Sequence, residues 1–172
     1  EFNHASDKDY FSDFNSNPNS KTDLNLRRAW ELNYKNGIPG LKTQLKVEDF
    51  QTLDETIEDK DKPYARLPQF LLNYVTGNPQ GLQYEFNHDT AYFKKDISDA
   101  TNGTSTTFEP SGTRIYNDFA VRYNYRNPWS FVIPEVSIRN VNTFYDQDTI
   151  NSNQNTNSSD EKQSVTVPQF TL

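Results

Sequence analysis

Residues 82–93, LQYEFNHDTAYF, alternate without a break. Leu82, Tyr84, Phe86, His88, Thr90 and Tyr92 fall on one side of an extended chain, and Gln83, Glu85, Asn87, Asp89, Ala91 and Phe93 on the other. A period of two marks a β-strand whose two faces meet different surroundings. The same alternation recurs along the chain and predicts strands over about 24–35, 41–53, 64–76, 82–93, 113–126 and 130–145, with a last one begun by QSVTVPQFTL (163–172). No window of useful length carries a helical period.

The segments between these strands alternate in length. NGIPG (36–40), GNPQG (77–81) and the NPWS reversal near 127–129 are short and rich in turn formers. The stretches near 7–23, 54–62, 94–112 and 146–162 are long, polar and mostly acidic. In an antiparallel up-and-down meander this gathers every short turn at one edge and every long loop at the other. Membrane barrels of the outer-membrane type segregate their connections in that way; soluble meanders have no general reason to. The chain has no methionine, which reads as a processed or excised piece, and both ends fall inside strand patterns. The expectation is an all-β fold: an up-and-down meander of about seven to eight strands, with residues 1–172 as one section of a larger transmembrane β-barrel.

The two faces differ in the way such a wall requires. Leu72, Tyr74, Leu82, Tyr84, Phe86, Phe119, Val121 and Tyr123 share one side, the expected lipid-facing set. Glu85, Asn87, Asp89, Arg114, Asp118, Arg122 and Arg139 share the other, the expected lumen-lining set, with both signs of charge within cross-strand reach. That side can be wet but cannot form a dry core. Aromatics gather near the short turns (Tyr34, Tyr74, Tyr84, Tyr125, Trp129) and near the long loops (Phe50, Tyr64, Tyr92, Phe144), as at the two interfaces of a bilayer. Arg66 and Asn117 are expected to face outward near strand ends.

Composition supports the half-apolar reading. Only 33% of residues are hydrophobic and the mean hydropathy is −0.96, yet 14% are aromatic, far from a disordered composition. No run approaches the ~18 apolar residues of a helical span, which says nothing against strands. A net charge of −7 argues against a nucleic-acid partner. The chain lacks cysteine, so thiolate chemistry and disulfides are excluded within it.

Catalytic and metal sites find little support. His88 and Asp89 are adjacent and so point to opposite faces, which rules them out as a base and its orienter. Glu85 and Asp89 lie roughly 13 Å apart along a strand, beyond glycosidase spacing. DQDTIN (146–151) begins like a calcium loop but lacks the glycine and closing glutamate. No enzyme activity and no cofactor are expected. Two other readings remain: a soluble β-sandwich that binds carbohydrate, and an outer-membrane hydrolase using His88.

Several stretches are more specific. DKDYFSDF (7–14), YARLPQFLLNY (64–74) and GLQYEFNHDTAYF (81–93) resemble the barrel of the organic-solvent-tolerance family, the lipopolysaccharide-assembly proteins of the bacterial outer membrane. GTRIYNDFAVRYNYRNPWSFVIPEVSIRNVNTFYD (112–146) and the final VTVPQFTL are similar to a following hairpin and Pro-Gln-Phe strand of that barrel. The resemblance implies a wall section of a translocon that inserts lipopolysaccharide into the outer leaflet. It also implies a plug lipoprotein in the lumen, and lipopolysaccharide and outer-membrane lipids as the other partners. The family's periplasmic jelly roll, cysteines and lateral gate have no counterpart in these residues.

Overall fold

A computed structural model describes residues 4, 25–35, 37–53, 57, 61–95, 111–146 and 162–172. They form nine strands: β1 (Asn25–Lys35), β2 (Leu41–Thr52), β3 (Ala65–Gly77), β4 (Leu82–Lys94), β5 (Gly112–Tyr123), β6 (Tyr125–Asn127), β7 (Ser130–Val132), β8 (Glu135–Tyr145) and β9 (Lys162–Thr171). Seven of them make one open antiparallel sheet in the order β1-β2-β3-β4-β5-β8-β9, and β6 and β7 form a separate two-stranded ribbon. This is the expected all-β meander. The DYFSDF stretch, the DQDTIN motif beyond Asp146 and most of the long connections lie outside the described residues.

Glycine shapes the first two short reversals, and in the third Asn127 Oδ1 accepts from the Trp129 and Ser130 N–H groups. Gly40 adopts φ 78° and a Cβ there would come within 1.8 Å of the Val75 carbonyl oxygen, so only glycine fits without strain. The first two reversals are also tied to the chain beside them: Val75 N–H donates to Gly40 O at 2.9 Å, and Asn124 N–H to Gly81 O at 2.8 Å. Successive hairpins are staggered. The first turns back after the pair Lys35 and Lys42, in the row of Asn73 and Asn87, whereas the second runs on to Gly77 and Gln83. The third continues past Arg122 and Glu135 into the ribbon. Stagger in one direction is the shear that closing a barrel demands.

Proline changes two of the expected strands. The segments 113–126 and 130–145 are each interrupted, at Asn124 and at Ile133–Pro134, although the β6–β7 ribbon keeps the β5–β8 register. Tyr123 N–H still donates to Pro134 O at 3.0 Å, but Pro134 has no N–H to return, and the ladder breaks there. In β3 a bulge at Leu67–Pro68, whose peptide bond is cis, shifts the register against both β2 and β4. A bulge adds one residue and so reverses the sense of alternation beyond it. Arg66 therefore joins the face of Gln69 and Glu48 instead of the outward side expected for it.

Among the described residues the substantial contacts between elements are all between sheet neighbours. No second layer covers either face among the described residues, and the single open seven-stranded sheet replaces the β-sandwich reading. Among the described residues the buried hydrophobic ones are Ala29, Leu53, Ala65, Ala91 and Ala120, and no large side chain is fully buried.

Candidate functional site

One face of the sheet is a network of charges built by register. Lys46 and Glu48 are two apart on β2 and so project together, and Ala29 opposite Glu48 leaves room for long side chains. Glu48, 5% exposed, receives Arg27 Nε at 2.5 Å, Lys46 Nζ at 2.9 Å and Arg66 NH1 at 3.6 Å. The third cation arrives only through the bulge in β3. Arg27 also meets Glu31 at 3.2 Å.

Further along, pairing brings the sequence-predicted polar residues of β4, β5 and β8 together. Arg122 bridges Glu85 at 2.8 Å and Glu135 at 3.1 Å, linking three strands. Asn87 accepts from Asn73 Nδ2 at 2.7 Å and donates to Glu85 Oε1 at 3.1 Å. Asp89 accepts from Gln69 Nε2 at 2.9 Å. Asp118 accepts from Arg139 Nε and from the Tyr116 hydroxyl, both at 3.1 Å. Arg114 stands apart from the other six: its guanidinium lies over the Phe93 ring, 4.9 Å from the centroid. Spacing alone could not identify Glu48 as a hub, because its partners come from three strands and one depends on the bulge.

The opposite face is apolar in the rows nearest the short turns. Tyr74, Phe86, Phe119 and Ile138 align across four strands, followed by Thr76, Tyr84, Val121 and Val136, and then by Leu82 and Tyr123. Leu72 lies in the next row the other way, beside His88, Asn117 and Asn140. There His88 Nδ1 is 2.8 Å from Asn117 Oδ1 and its Nε2 is 2.8 Å from Thr90 Oγ1, with the rings of Phe70 and Phe86 on either side. Asn117 thus faces the apolar side, but from mid-strand rather than near an end. Both His88 nitrogens are engaged by neutral partners, and Asp89 bonds Gln69 on the far face, so no hydrolytic couple forms. Of the aromatics expected near the long loops, Tyr92 and Phe144 share the apolar face. Phe50 pairs with Arg27 and Tyr64 packs edge-on against Phe93, both on the charged side.

Burial runs opposite to that of a water-soluble domain. On the charged face Ser137 is 2% exposed, while on the apolar face Trp30 is 55% and Ile138 50% exposed. Strands of ten to thirteen residues are long enough to cross a bilayer when tilted. Seven staggered strands with an exposed apolar face and a crowded, ion-paired one define a section of membrane β-barrel wall.

The family follows from comparison: the family model described as "LptD: LPS transport system D" matches residues 1–172, and the chain belongs to the LptD family. It is 70% identical over its full length to the "LPS-assembly protein LptD" of Acinetobacter baylyi, and likewise to that of Acinetobacter baumannii. The protein of the same description from Psychrobacter arcticus is 39% identical over 99% of the chain. The chain spans about a fifth (20%) of the length of the Acinetobacter relatives. It is therefore part of an outer-membrane protein of a transport and assembly family, not of an enzyme family.

Proposed function

We propose that this chain is a wall segment of an outer-membrane translocon that inserts lipopolysaccharide into the outer leaflet. The inversion of burial carries the reading. A sheet that curls toward its charged face crowds those side chains together and splays the apolar ones outward, as a barrel with a hydrated interior does. In this reading Glu85, Asn87, Asp89, Arg114, Asp118, Arg122 and Arg139 line the lumen. Leu72, Tyr74, Leu82, Tyr84, Phe86, Phe119, Val121 and Tyr123 meet lipid acyl chains. The inward ion pairs tie neighbouring strands while remaining hydrated, and they offer a polar surface to a plug lipoprotein inside the barrel. The relatives' printed name, an assembly protein for lipopolysaccharide, supports the cargo.

Depletion tests it. Cells depleted of the full-length protein should accumulate newly made lipopolysaccharide short of the cell surface, and the unsubstituted protein should restore delivery. Undiminished surface lipopolysaccharide in depleted cells would overturn the reading.

A further inference from the structure

We propose that the charged face carries, at its long-loop end, a binding site for a sugar bearing an anionic group. The proposal rests on the reading above, in that this face lines the path of a glycolipid cargo.

Tyr64, Phe93, Gly112, Arg114, Thr143 and Tyr145 enclose an open cleft of about 390 Å³, within the range of small-ligand sites, roughly 300–1,000 Å³. Register explains how it forms. Phe93, Gly112 and Tyr145 are direct neighbours across β4, β5 and β8, so the glycine leaves a gap between two half-buried rings. That gap is enforced, because a Cβ at position 112 would come within 2.3 Å of the Phe144 carbonyl oxygen. Tyr64 closes one side edge-on to Phe93, with ring centroids 6.4 Å apart. Arg114 and Thr143, paired in the next row, supply a cation and a hydroxyl.

Arg114 gives the cleft its ligand preference. Arg27, Arg66, Arg122 and Arg139 on this face each contact a carboxylate, whereas Arg114 contacts none among the described residues. Instead it is exposed and stacked on Phe93. A guanidinium held over a ring face, with no carboxylate among the described residues on it, keeps its fork of donors for a phosphate or carboxylate taken in two hydrogen bonds. Aromatic rings facing a gap suit the C–H faces of a pyranose, and the Thr143 hydroxyl suits its own. Rings without a cation would take a neutral sugar; a cation without rings would take any anion. Together they select a sugar phosphate or a sugar acid.

The test uses the full-length protein purified in detergent, with glucose, glucose 1-phosphate, glucuronic acid and inorganic phosphate as probes and saturation-transfer NMR as the readout. One or both anionic sugars should bind at least about tenfold tighter than glucose and than inorganic phosphate, with Arg114→Ala abolishing the difference. Arg114→Lys should restore part of it, since the charge returns without the fork. Preference for glucose 1-phosphate or for glucuronic acid identifies which anionic group is taken. Folding of each variant is checked by heat-modifiable migration on gels. Equal binding by the unsubstituted protein and a folded Arg114→Ala variant, or equal binding of inorganic phosphate and both sugars, overturns the site. Those results would leave the translocon reading intact, because that reading is tested on the unsubstituted protein by depletion.

Discussion

The face assignment makes a quantitative claim at Phe86. This residue follows Leu82 by four positions in β4, and its ring lies in the row of Tyr74 and Phe119. At about 3.4 Å per residue and a tilt near 40°, it stands about 10 Å above the short-turn end of the strand. The apolar band of such barrels is about 25 Å tall, which puts Phe86 close to its middle. An arginine on the lipid face costs about 2–4 kcal/mol at that depth and about 0–1 near an interface. Phe86→Arg should therefore destabilise the full-length barrel by about 2–4 kcal/mol. Asn87→Arg is one residue further and faces the other way, beside Glu85, which it reaches at 3.1 Å in the native protein. The same charge there enters a hydrated network already holding carboxylates, so the change should stay within about 1 kcal/mol of zero. Equilibrium unfolding in lipid vesicles, followed by tryptophan fluorescence, measures both. If Phe86→Arg is as mild as Asn87→Arg, acyl chains do not surround Phe86 and the assignment of faces fails.

Two further outcomes follow from the geometry. Glu48→Gln leaves Arg27, Lys46 and Arg66 converging on an uncharged group. Breaking a buried pair costs about 3–5 kcal/mol, and because Arg27 and Arg66 stay partly hydrated the expected loss is smaller, about 2–3 kcal/mol in the same unfolding assay; a loss under about 0.5 kcal/mol would show that the hub contributes nothing. Pro134→Ala returns a donor opposite Tyr123 and should join the β6–β7 ribbon to the main ladder, visible as new hydrogen-exchange protection of the residue 134 amide; a freely exchanging amide there means that something other than the missing N–H breaks the ladder.

Alternation carried most of the fold. In β4 the pattern is uninterrupted, and pairing with both neighbours keeps a constant register from Gln83 to Ala91, so the face of each residue followed from parity alone. Parity failed at one proline, Pro68, while Pro168 sits in β9 without shifting its register. Arg66 lies on the charged side because the Leu67–Pro68 bulge adds a residue, and with only Ala65 and Arg66 beyond it in β3 the reversed alternation is too short to read from sequence. The break at Pro134 was signalled by the same residue type, but whether a proline bulges a strand or ends its ladder depends on which side its lost donor would have faced. Side-chain partnerships were less legible still. Arg114 shares the charged face as its parity predicts, yet it lies over Phe93, because its direct neighbour across β4 is the small Ala91 and the Phe93 ring, opposite Gly112, stands diagonally beside it.

The mean hydropathy of −0.96 hides the feature that matters. Averaged over the chain, long polar connections and charged inward positions outweigh the apolar rows, although those rows form a continuous surface from Leu41 to Ile138 in register. A single layer cannot bury such a surface in itself, and the described residues offer no second layer to do it. In the proposed wall its stability comes from three sources: the ladder of backbone hydrogen bonds, acyl chains around the apolar rows, and cross-strand pairs on the hydrated side. The third source fixes the register as well. Arg122 can meet Glu85 and Glu135 together only when β4, β5 and β8 are aligned as they are, and a slip of one residue would turn its guanidinium toward lipid. In a wall without a core, charge pairing on one face thus holds the register that keeps the other face apolar.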